Sequence, residues 1–237
     1  MKIALLRVGI DTGSGGMHGP LFQDSSFEFI PIPDPKGRDE RTYGNTVGRH
    51  GRLLVEYFPE RRRLVMADQS MHVDPEWETF TYGDPTPPKA GLRRLEKDDF
   101  LVFYGGLQGW DYESPPALYV FGYFVVEVAG IAAELGDSFV KKHFATNFHV
   151  RHDRVYHNQR EKLVLVKGGT GSKLLKTAVK ISCEGRTKDG RPLKVLSHEM
   201  QKIFGDFDGK ISIQRSPTRW VKPEYVEQAA EFVRSLT

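Results

Sequence analysis

Phe100-Leu101-Val102-Phe103-Tyr104 and, after a loop, Leu118-Tyr119-Val120-Phe121-Gly122-Tyr123-Phe124-Val125-Val126 decide the fold. Aromatic and β-branched side chains of this density fit a pleated surface, so both runs read as strands. The loop between them, from Gly105 to Pro116, carries turn residues at both ends, which makes the pair a hairpin. Upstream, Lys2 to Ile10 reads as a strand that runs into the glycine-rich Asp11-Thr12-Gly13-Ser14-Gly15-Gly16. Downstream, Leu163-Val164-Leu165-Val166 is a short strand of the buried type. Ser172 to Ile181 has Leu174, Leu175, Ala178 and Val179 at the spacing of one helical face, with Lys173, Lys176 and Lys180 on the other, and reads as a helix. A last helix is expected from Pro223, burying Val226, Ala229, Ala230 and Val233. Leu53 to Phe58 fits either a strand or a short helix. The sum is an α+β protein: a mixed, largely antiparallel sheet or barrel with flanking helices and long loops.

At 237 residues the chain fits one large domain or two small ones. Pro85, Pro87 and Pro88 mark a candidate internal boundary, but the segment lacks the length and low complexity of a flexible linker. Pro31-Ile32-Pro33-Asp34-Pro35 excludes regular helix or central strand, and the polar stretch on to His50 reads as an irregular surface excursion. No apolar run approaches the roughly 18 residues of a membrane span, and the first residues lack the apolar stretch of a secretory signal. A cytoplasmic protein with no membrane partner is expected. A lone cysteine, Cys183, excludes an internal disulfide and a multi-thiolate zinc site, and its place after an apolar run predicts a buried thiol. A net charge of +3 permits a polyanionic partner without requiring one.

Several polar segments could carry chemistry. In Arg7 to Pro20, glycines including Gly13, Gly15 and Gly16 let backbone amides approach a ligand, beside Arg7, Asp11 and His18; a tight structural turn explains the same letters. The spacing matches neither a Walker A loop nor a dinucleotide fingerprint. In His72-Val73-Asp74-Pro75-Glu76, His72 and Asp74 project to one side of an extended segment. Imidazole and carboxylate together suit acid–base work or a divalent metal, which would need further ligands such as His18 or His50; Asp74 could equally cap a turn. Alternation would put Asn147, His149 and Arg151 on one polar face for a base edge or phosphate. Ser172 and Lys173 stand where a helix start would favour an anion, or where Ser172 would be an ordinary N-cap. Arg215, Ser216 and Arg219, next to Trp220, could clamp a phosphate and stack a base.

Taken together, Arg7 to Phe22, His72-x-Asp74-Pro75-Glu76, Thr81-Tyr82-Gly83-Asp84, Phe103-Tyr104-Gly105-Gly106-Leu107, Asn147-x-His149, Ser172-Lys173-Leu174-Leu175 and Arg215-Ser216-Pro217-x-Arg219 resemble the nucleotide modification associated domain 3 family. The resemblance spans essentially all of 1–237 and implies one domain acting in modification of bases in nucleic acid, DNA included. It assigns no particular catalytic residue and leaves the cofactor and any metal open. Locally, Asp98 to Tyr104 with Val120 to Val126 also resembles the hairpin of EVE and other PUA-like barrels, which bind modified bases or structured RNA; Asp99 departs from the glycine usual there.

Two functions follow. One is an enzyme acting on a base or nucleotide, with Asp11, His18, His72, Asp74 and Glu76 as its chemistry. Arg7, Gly13, Gly15, Gly16, Tyr82, Asp84, Tyr104, Asn147, His149, Arg151, Ser172, Lys173, Arg215, Ser216 and Arg219 would then hold the nucleotide. The other is a reader that holds a flipped base between aromatics such as Tyr104, Tyr123 or Trp110. Paired His, Asp and Arg favour the enzyme, since stacking alone has no use for them. The expected partner is nucleic acid or a nucleotide.

Overall fold

The computed structural model describes residues 1–207, 209–214 and 217–237. In chain order the first elements are β1 (Ile3–Arg7), β2 (Gly19–Leu21), β3 (Ile32–Pro33), α1 (Glu60–Ala67), β4 (Met71–His72), β5 (Thr81–Asp84), β6 (Phe100–Gly109) and β7 (Ala117–Ile131). Four short helices follow: α2 (Ala132–Leu135), α3 (Asp137–His143), α4 (Phe148–Arg151) and α5 (Asp153–Gln159). The chain then forms β8 (Val164–Gly168), β9 (Lys173–Lys180), β10 (Ser182–Arg186), β11 (Pro192–Leu196), α6 (His198–Phe204), β12 (Arg219–Trp220) and α7 (Val226–Ser235). Leu54–Tyr57 is a 3₁₀ turn, so the ambiguous segment is helical rather than extended.

The main sheet runs β12-β1-β6-β7-β8-β5. The β6–β7 hairpin is its centre, paired antiparallel from Phe100 opposite Val125 to Leu107 opposite Ala117. β1 and β2 lie parallel to β6, one beyond the other, and the remaining pairs are antiparallel. The far edge of the long β7 is shared: β9 pairs with its first part and β8 with its last. The sheet therefore forks at β7, and among the described residues it does not close into a barrel. Of the two expected forms, sheet or barrel, the sheet is the one that forms.

The helix expected over 172–181 is a strand. β9 pairs Lys180 with Tyr119 and Val179 with Val120, then resumes with Leu174 opposite Gly122 after a break in register. Across that break Leu175 and Ala178 both turn inward, three residues apart. An irregular strand thus produced the spacing of a helical face. α7 begins where Pro223 predicts, after a 3₁₀ turn, and buries Ala229, Ala230 and Val233, while Val226 is only half-buried.

The 31–50 excursion is irregular but not superficial. Tyr43 is fully buried and, with Ile10, Ile30, Phe58 and Met71, builds a second apolar cluster. Asp34 and Asp39 are buried too, held by Arg38 and by Arg41 and Arg151. Cys183 is exposed rather than buried, because it sits on the outward side of the two-stranded β10–β11 arm. Pro87–Arg94 is a 3₁₀ helix with Leu92 in the main core, not a linker. No helix among the described residues is long and apolar enough to cross a membrane.

Candidate functional site

Two neighbouring clefts share Arg7, Asp11 and Gln214. The larger, about 510 Å³, is lined by the end of β1, the Asp11 loop, His72, Asp74, the β5 residues Tyr82, Gly83 and Asp84, and Lys89. The smaller, about 360 Å³, holds His18 between the Asp11 loop and the β10–β11 arm. Parallel pairing of β1 with β6 delivers the glycine-rich loop to this end of the sheet, and β4 and β5 bring the His72 segment alongside.

The Asp11 loop is a turn closed by its own aspartate. Asp11 Oδ1 accepts from Gly13 N at 2.7 Å, Ser14 N at 2.7 Å and Ser14 Oγ at 2.9 Å, while Arg7 pairs with its other oxygen at 3.2 Å. Gly15 and Gly16 take positive φ as that turn requires. The Gly13, Ser14 and Gly16 amides, which an anion might have used, are satisfied by Asp11. Burial would raise the Asp11 carboxyl, but the Ser14 hydrogen bonds and Arg7 outweigh it and hold the group low. His18 is held low by burial and then by Arg7, and its Nδ1 is buried without a hydrogen-bond partner.

At the other end of the larger cleft His72 and Asp74 line the wall, and the buried His149 meets them from behind, the ligand-type atoms of the three all within 4.8 Å of one another. His72 Nε2 lies 3.1 Å from His149 Nε2, and His149 Nε2 lies 3.6 Å from Asp74 Oδ2. Asp74 also accepts from Gly83 N at 2.9 and 3.2 Å. Burial drives all three toward their neutral forms: the His72 imidazole to about 3, that of His149 also down, and the Asp74 carboxyl well up, Gly83 N–H only partly opposing. His149 Nδ1 stands 2.8 Å from Gln159 Oε1. An amide oxygen can only accept, so His149 keeps its proton on Nδ1 and turns the Nε2 lone pair to His72 and Asp74.

Asn147 does not line the cleft. It is the N-cap of α4, its Oδ1 accepting from His149 N at 3.0 Å, and it is fully buried behind Asp74. The cap replaces the expected extended face: His149 turns to the cluster, whereas Arg151 leaves it to pair with Asp39 and Glu40. Neither His18 nor His50 completes the His72–Asp74 pair; His50 faces Glu28 and Ser26 instead. Glu76 caps the following turn, accepting from Glu78 N and Thr79 N, both at 3.0 Å. Tyr82 donates to Asp84 at 3.0 Å within the cleft wall, and burial, then Asp84, raise its phenol.

Several expected ligand-holding residues have other work. Tyr104 is fully buried and donates to Ile213 O at 2.9 Å. With no helix at 172–181, Ser172 accepts from Val125 N at 3.0 Å, and Lys173 donates to Leu236 O at 3.0 Å. Arg219 donates to Ser212 O at 2.9 Å, and Arg215 and Ser216 lie outside the described residues. Two further residues reach the site, Lys89 and Gln159. Lys89 sits in the cleft wall with its ammonium pulled down to about 8 by burial, partly offset by Asp84. No local pattern marks either residue.

Fold and cleft together define an α+β protein with a histidine–aspartate cluster at the floor of a polar cleft. The model of the nucleotide modification associated domain 3 family matches residues 2–235, and the chain belongs to that family. No curated protein and no solved structure matches it.

Proposed function

We propose that this chain is an enzyme that modifies a nucleotide or a base within nucleic acid, with its chemistry at the His72–Asp74–His149 end of the larger cleft. The observation that carries the reading is the cluster of three ionisable groups, His72 and Asp74 in the wall of a cleft large enough for a nucleobase and His149 buried behind them. Such groups are costly to bury and cluster at functional sites. Arg7 and Asp11 extend the polar wall, His18 lines the adjoining cleft, and Lys89 adds a cationic group. The aromatics that a reader would need speak against that alternative. Tyr104 and Tyr123 are core residues, and Trp110 packs on Phe22 and Tyr57 beneath Arg52.

The test is mass analysis of nucleosides recovered from nucleotides and nucleic acids incubated with the protein, across group donors and divalent ions. A mass change is expected with the wild type and is expected to vanish in Asp74→Asn, which keeps the shape of aspartate but neither takes a proton nor carries full charge. Unchanged nucleosides across the whole panel, together with binding that survives Asp74→Asn, would overturn the enzyme reading.

A further inference from the structure

We propose that His72, Asp74 and His149 form a binding site for one divalent first-row transition ion, held by two imidazole Nε2 atoms and a carboxylate oxygen with its open positions facing the cleft. Four observations converge on it. Two nitrogens each about 2.0–2.1 Å from one ion stand about 2.9–3.4 Å apart at ordinary coordination angles, and the two Nε2 atoms here stand 3.1 Å apart. The Asp74 oxygen, 3.6 Å from His149 Nε2, is within a few tenths of an ångström of the same geometry. Gln159, at 2.8 Å from His149 Nδ1, holds the ring in the tautomer that ligation needs, which is the usual arrangement behind a metal-bound histidine. Gly83 N–H fixes the carboxylate in the same way.

The fourth observation is what the cluster lacks. Asp74 and His149 side chains are 3% and 6% exposed, and no lysine or arginine is ion-paired with Asp74 among the described residues. A bound cation would occupy the lone pairs that now face each other. Two nitrogens against one oxygen select zinc, cobalt, nickel or ferrous ion over magnesium or calcium, which prefer all-oxygen sets. With three protein ligands the ion would keep room for water or substrate.

The ion's use in catalysis rests on the proposed function, but its binding does not, and the experiment reads binding alone. Protein stripped with a chelator is titrated with Co(II) and followed by visible absorption and by metal content after dialysis. One Co(II) per chain is expected, displaced by Zn(II) but not by a large excess of Mg(II). His149→Ala and His72→Gln are each expected to weaken binding at least about 100-fold, and Gln159→Leu, which touches only the back of the ring, about 10–100-fold. Exposed His157→Ala should leave it unchanged. If His149→Ala does not fold, His72→Gln and Gln159→Leu carry the comparison. Absence of stoichiometric binding in folded, stripped protein would overturn the metal site, as would unchanged affinity in His72→Gln and Gln159→Leu. A chain that converts nucleotides without binding metal would sink this inference and spare the proposed function; one that binds metal and converts nothing would do the reverse.

Discussion

Replacing Gly83 with alanine adds one methyl group at the most crowded point behind the His72–Asp74–His149 cluster. A Cβ there would stand 2.9 Å from Asn147 Oδ1, 3.1 Å from Leu165 Cδ2 and 3.2 Å from His149 Cδ2. Carbon needs about 3.5 Å or more for an unstrained contact, so Asn147 must withdraw by about 0.6 Å and the His149 ring by about 0.3 Å. Neither is at liberty to do so. Asn147 Oδ1 is fixed by His149 N, and the ring is fixed by Gln159. Overpacking of this kind costs about 1–3 kcal/mol, which in a protein of this size lowers Tm by roughly 2–12 °C. The larger effect is expected on the site, since displacements of about 0.5 Å already exceed what a ligating or catalytic constellation tolerates. Co(II) affinity is expected to fall about 10–100-fold, and nucleotide conversion with it. Calorimetry gives Tm, and visible titration gives affinity. Gly130→Ala is the control: its Cβ would meet Leu135 Cδ2 at 3.0 Å, away from the cleft, so it should perturb Tm without touching Co(II) binding. Wild-type affinity and turnover in Gly83→Ala would refute the argument that this packing positions the cluster.

Other outcomes follow from the same geometry. Lys89, held near 8, loses its charge as pH rises from 7 to 9, so any anion it holds should bind more weakly at pH 9; Lys89→Arg should flatten that dependence, and an unchanged pH profile would remove Lys89 from binding. Burial would raise Asp34, but Arg38 and backbone N–H groups hold it at about 2, below its ordinary 3.8. Because the folded value is depressed, its contribution is present above about pH 4 and is lost as pH falls through 2. The lowering corresponds to at most about 2.5 kcal/mol, or roughly 1–2 kcal/mol allowing for solvent at Arg38. Urea melts of Asp34→Asn should show that deficit at pH 7 and none near pH 2. Tyr104→Ala should destabilise by about 3–5 kcal/mol as a core truncation, while Tyr104→Phe should cost about 1 kcal/mol and leave ligand affinity alone. Lost affinity in a folded Tyr104→Phe would reinstate the tyrosine as a ligand contact.

Local chemistry by itself determined the β6–β7 hairpin, the opening strand that ends in a glycine turn, the short strand read over 163–166 and the terminal helix after Pro223. In each, propensity, punctuation and burial point the same way over adjacent residues, so nothing distant has to be known. His72 and Asp74 were also legible as a pair, because alternation along an extended segment puts them on one side. The tertiary structure decided the rest. β9 carries a helix-like spacing because its register against β7 breaks, and that break belongs to the pairing, not to the strand. His149 reaches His72 across 77 residues, and it does so because Asn147 caps a one-turn helix that directs one imidazole inward and sends Arg151 outward. Gln159 and Lys89 join the site from segments with no pattern of their own. Long-range convergence of this kind is set by which strands pair and which helices cap, and those are properties of the assembled sheet.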